Sequence, residues 1–224
     1  MLTLSDADHA RIGAAVAEAE RGTDGEIVTI FAAKSDSYHD VGLHYAVLAM
    51  LLVPAALAFI PQSWVDRATG LFLGWNAAPG RGALMLFLFA ALALIFLLVR
   101  FALAYMPLRM ALTPGSTKAR RVRRRAVELF RVGAERRTTG RTGVLLYMSL
   151  LEHRAELIAD EAIHSRVEPE VWGEAMAALI EEVKAGRPGE GLARAVERIG
   201  IVLHQCLPAS GDNPNELPDR LIEL

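Results

Sequence analysis

Two long apolar stretches constrain this chain more than any other feature. From Val41 to Val65 there is no Asp, Glu, Lys or Arg, and from Gly82 to Met106 there is only Arg100. A bilayer core of about 30 Å needs roughly 20 mostly apolar residues in helical form, and both stretches supply them. The candidate spans cover about residues 44–60 and 83–103. A soluble domain of 224 residues would have to bury both helices on all sides, which is costly for so small a core. Neither stretch reads as a cleavable signal peptide, because residues 1–43 precede the first and no small-residue cleavage pattern ends it.

Charge predicts the topology. Residues 100–141 carry 12 Lys and Arg against 2 Asp and Glu, whereas residues 142–224 carry 7 against 15. Basic residues close to a span accumulate on its cytoplasmic side. The segment from Arg100 and Arg109 through the run Lys118 to Arg125 is therefore expected in the cytosol, and two spans return the N-terminus there too. This places the chain in the inner membrane of a cell as a multi-pass protein with both termini cytoplasmic. The connection Pro61 to Gly82 then faces the other side, with Trp64 and Trp75 at interfacial positions, and Pro54 is a kink site within the first span. Arg100, at the cytosolic margin, reads as a snorkelling residue. The single Cys206 precludes an internal disulfide and reads as a small buried residue of the last helix.

The flanks of the spans look like parts of one α/β domain. Ser5, Asp6 and Asp8 are helix-start residues, and Ile12, Ala15, Val16 and Ala19 follow at helical spacing up to Gly22. Residues 26–33, rich in β-branched and aromatic side chains, predict a strand. A lone helix and strand would not fold stably, so their partners must lie beyond the spans. There, residues 116–137 predict a basic helix, 144–150 a strand covered on both faces, and 155–159 a shorter strand. Helices over 168–185 and 189–206 close the domain. The expected organisation is residues 1–40 as the first helix and strand, 41–108 as a transmembrane hairpin, 115–208 as the remainder of the domain, and 209–224 as a loose C-terminal tail.

Several pieces carry a family likeness: Thr23-Asp24-Gly25-Glu26-Ile27-Val28, then Thr142-Gly143-Val144-Leu145-Leu146-Tyr147. They continue with Glu156-Leu157-Ile158-Ala159-Asp160, Trp172, and Gly191-Leu192 followed by Ala195-Val196-Glu197-Arg198-Ile199-Gly200. In this order the chain resembles the TPM domain family over about residues 5–35 and 115–208. The resemblance implies a three-layer α/β/α sandwich. It also implies membership of a bacterial subgroup of membrane proteins in which a two-helix hairpin is inserted after the first strand. For function the family offers weak phosphatase activity among plant members and chaperone-like or assembly roles elsewhere. The commoner bacterial pattern has an exported domain with a C-terminal anchor, and this chain departs from it.

Strong catalytic motifs are missing from the sequence: there is no P-loop, no G-x-S-x-G, no paired-Cys metal pattern and no H-E-x-x-H. If strands 144–150 and 155–159 form a hairpin and 26–33 runs parallel to 144–150, Glu26 and Asp160 reach the same end of the sheet. Two carboxylates there, with the Thr142 hydroxyl, are the candidate ligands for a hard cation, Ca2+ or Mg2+. The plainer alternative has them capping loops or pairing with Arg141. Asp160, Glu161 and His164 read as a solvated loop, and the His residues show no ligand spacing. The basic run Lys118 to Arg125 lies close behind a span, where attraction to anionic lipids explains it better than nucleic-acid binding. The sequence thus points to a non-enzymatic protein that binds or assembles a membrane-protein partner. A membrane-bound, metal-dependent, phosphatase-like hydrolase centred on Glu26 and Asp160 is the alternative.

Overall fold

A computed structural model describes residues 4–73, 80–133, 142–210, 217 and 219–224. It is a mixed α/β structure whose four strands form one sheet in the order β3-β2-β1-β4. The chain divides into two compact units, one of residues 1–36 with 115–224 and one of residues 37–114.

The first unit begins with α1 (Asp6–Glu20), started by a capping box in which Ser5 and Asp8 satisfy each other's backbone N–H groups. Strand β1 (Glu26–Ala32) runs parallel to β2 (Gly143–Ser149), with Glu26 opposite Gly143. Strand β3 (Arg154–Ala159) returns antiparallel to β2. Both β1 and β2 are buried along their whole length, as the continuous apolar run of β2 leads one to expect, and in β1 that burial takes in Glu26 and Thr29.

Alternation along these strands divides the core into two clusters. Ile27, Phe31, Val144, Leu146 and Met148 pack with Ile12 and Val16 of α1, and with residues of α8 (Pro169–Lys184) and α9 (Pro188–Cys206). Val28, Ile30, Ala32, Leu145 and Tyr147 pack with Val122, Ala126 and Phe130 of α6 (Gly115–Gly133). Burial of such side chains contributes about 1.5–3 kcal/mol each before entropy is counted.

Two expectations need correction here. The C-terminal residues are not loose throughout: β4 (Ile222–Glu223) pairs parallel to β1, and Leu217 and Leu221 are buried. The segment 211–216, which the sequence marks as the loosest, lies outside the described residues. The loop expected after β3 is instead a short helix, α7 (Glu161–His164), started at the buried Asp160.

The second unit holds α2 (His39–Phe59), α3 (Gln62–Leu73), α4 (Arg81–Ala102) and α5 (Met106–Leu112), with α2 and α4 packed together. Helices α2 and α4 are long and apolar enough to cross a membrane, with mean hydropathy 2.0 and 2.9, and no residue of the most apolar window of α4 is buried. Pro54 lies inside α2. Much of the connection between the two apolar helices is itself helical, because Trp64, Val65, Ala68 and Leu71 recur at helical spacing. Trp75 lies outside the described residues. Arg109, one of the basic residues counted toward the topology, is only 2% exposed. Its guanidinium donates to the carbonyl oxygens of Leu103 at 2.7 Å and Ser37 at 2.7 Å, which satisfies a helix end.

Candidate functional site

Parallel pairing of β1 with β2 and the β2–β3 hairpin bring Glu26 and Asp160 to one end of the sheet. They occupy the start of β1 and the exit of β3, with β2 between them, so their backbones are about 10 Å apart by strand spacing. Each is 5% exposed, and each carboxylate accepts a hydrogen bond from a backbone N–H. Asp160 takes that of Gly143 at 2.9 Å, and Glu26 takes that of Leu217 at 3.3 Å. The Thr142 hydroxyl donates to the carbonyl oxygen of Asp24 at 2.7 Å, so it ties the loops before β1 and β2 together. Arg141, the alternative partner of the two acids, lies outside the described residues.

Two acids beside Glu26 escaped the sequence reading. Glu20, the last residue of α1, accepts a hydrogen bond from the Ile27 N–H at 2.6 Å. Burial pushes its carboxyl up to about 8, and the nearby charges of Glu26 and Asp219 and a side-chain hydrogen bond with Asp219 act in the same direction. Glu20 therefore keeps its proton at neutral pH and shares it with Asp219, which relieves the crowding of three carboxylates. No local signal marks this cluster, because α1, β1 and the residues before β4 meet only in the folded chain. Among the described residues no group of three or more His, Cys, Asp or Glu side chains is arranged to hold a metal ion.

The opposite end of the sheet carries a second polar cluster. The buried Glu152 accepts from the Ser149 hydroxyl at 2.5 Å and from the Ser35 N–H at 2.9 Å, and the Ser35 hydroxyl lies 2.9 Å from the Tyr147 hydroxyl. Burial raises the Tyr147 phenol above its ordinary value, so it stays neutral. These groups satisfy one another and close the β2–β3 turn. Beside them, Arg121 of α6 pairs with Asp36 at 2.9 Å, and Arg123 reaches Glu156 at 3.3 Å. Part of the basic run Lys118 to Arg125 thus neutralises acids of its own domain.

By sequence the chain matches no protein-family model and no curated protein. In structure it is similar to the BA42 protein from the psychrophilic bacterium Bizionia argentinensis, solved by NMR. The TM-score is 0.56 at 16% identity, and the match covers 99% of this chain and 95% of that one. At such identity the likeness is one of fold.

Proposed function

We propose that this chain is an integral inner-membrane protein whose TPM-like domain, a three-layer α/β/α sandwich facing the cytosol, binds or helps assemble a membrane-protein partner. The observation that carries the reading is the apolar surface of α2 and α4. Leu51, Leu52 and Phe59 on one helix and Leu86, Phe89 and Phe101 on the other are exposed, and water would not tolerate so much contiguous hydrocarbon. Two spans without paired intramembrane charges offer no transport pathway, which favours an anchor. Arg120 and Arg131 of α6 are exposed and supply positive charge for anionic headgroups.

Membrane fractionation tests the anchor: the chain should stay in the pellet after an alkaline carbonate wash, and its release into the supernatant would refute it. Topology is tested by cysteine substitution in a Cys206→Ser background. Ser63→Cys should react with an impermeant thiol reagent in intact cells while Ser116→Cys stays protected, and reversed labelling would overturn the orientation. Crosslinking in native membranes should capture one discrete membrane protein. No discrete partner, together with phosphoester turnover by the purified chain, would favour a hydrolase instead.

A further inference from the structure

Strand β3 lies at one edge of the sheet, and the ladder shows which of its backbone groups face outward. Leu150 donates its N–H to Ala32 of β1, and Glu26 donates its own to Thr142, so the even-numbered residues of β2 point their backbone groups toward β1. The odd-numbered ones therefore serve β3, as the bond from the Asp160 N–H to the Gly143 carbonyl at 3.0 Å confirms. Pairing in this register occupies Arg154, Glu156 and Ile158. The N–H and C=O groups of Ala155, Leu157 and Ala159 point away from the sheet, and no described residue bonds them.

A cleft of about 360 Å³ lies between the start of β3 and the C-terminal half of α8. Met176, Ile180 and Val183 supply its apolar floor, and Ile180 is 46% exposed. Its rim carries His153 and Lys184, while the guanidinium of Arg154 turns to the other face of the sheet and donates to the Gly115 carbonyl oxygen at 3.3 Å; among the described residues no acidic side chain lines the cleft. The volume is enough for two or three large side chains, at the lower end of the range of about 300–1,000 Å³ typical of ligand sites. Ala155, Leu157 and Ala159 pack on the same side of the sheet as α8, so an added strand would direct alternate side chains toward this floor.

We propose that the β3 edge and this cleft form a docking site for an extended segment of a partner protein, one with apolar residues at alternate positions and an acidic residue near the rim. The open backbone groups supply main-chain hydrogen bonds, the cleft takes the apolar side chains, and the basic rim selects the acid. The proposal deepens the partner-binding reading by naming how the partner is recognised, and it holds whichever way the chain is oriented in the membrane.

The test is a random decapeptide library displayed on phage and selected on the full chain in nanodiscs. Enrichment of alternating apolar sequences carrying Asp or Glu is expected. Synthetic copies of the enriched peptides should bind the Leu157→Pro chain about tenfold or more weakly, because the outward N–H is lost and the strand edge distorted. They should also lose affinity for Lys184→Glu, and for Ile180→Glu at a position exposed enough to leave the fold intact. Circular dichroism and melting of each variant separate lost binding from lost folding. Absence of enrichment, or equal binding to all three folded variants, would overturn the proposal. A concentration-dependent dimer abolished by Leu157→Pro would also overturn it, since a second copy of the chain would then occupy the edge. Neither result bears on carbonate extraction, so failure here is distinct from failure of the membrane reading.

Discussion

Glu20 makes the stability of the fold depend on pH. Its folded-state carboxyl is pushed up to about 8 from an ordinary value of 4.5, so the folded chain holds a proton that the unfolded chain releases. Stability from this group is full below about pH 4.5 and declines as pH rises to about 8. Glu20→Gln keeps an acceptor for the Ile27 N–H and a donor for Asp219 while removing the charge beside Glu26. The variant should melt near the wild-type temperature at pH 5 and above it at pH 8.5, and equal decline of both with pH would refute the assignment. Thr29 offers a second test. It is 1% exposed, and its hydroxyl has no partner among the described residues, so Thr29→Val should raise stability by about 1 kcal/mol in a urea titration. Asp160 is tied to the Gly143 N–H. Asp160→Asn should therefore lower the melting temperature equally with and without calcium, whereas loss of a calcium-dependent rise would restore the case for a cation between Glu26 and Asp160.

Among the elements, the α1–α9 contact is the one most sensitive to a single atom. At Gly200 an added Cβ would lie 2.6 Å from the Cβ and 2.9 Å from the Cα of Ala19. Alanine favours an isolated helix over glycine by about 1 kcal/mol, yet here the helices would be forced apart at a cost of about 1–3 kcal/mol. Gly200→Ala should therefore destabilise, as read from the midpoint of denaturant unfolding, and a gain would show that the two helices separate freely. Helix α3 and strand β4 show why some elements escape a sequence reading. The apolar stripe from Trp64 to Leu71 is local, but it sits between two much stronger apolar signals. Ile222 and Glu223 have no pattern of their own and become a strand only because β1 offers an open edge.

The whole molecule contains a unit made from two distant pieces of chain. Removing residues 1–36 takes away β1, which lies between β2 and β4, and would expose the edges of both. Residues 115–224 alone should aggregate or unfold without cooperativity, and joining residues 1–36 to them through a flexible linker should restore a sharp melting transition; cooperative unfolding of the fragment alone would refute this. Local periodicity in the sequence sufficed to mark the two apolar helices, the central strands and the amphipathic faces of α8 and α9, because each signal repeats within one element. The positions of Glu26 and Asp160 at one sheet end also followed, once parallel pairing of β1 with β2 was assumed. Long-range contact decided the rest. The proton held between Glu20 and Asp219, the burial of Arg109 against the carbonyl oxygen of Ser37, and the open edge of β3 beside α8 all join residues far apart in the chain. Desolvation and hydrogen bonding act between neighbours in space, and only the folded chain determines which residues those are.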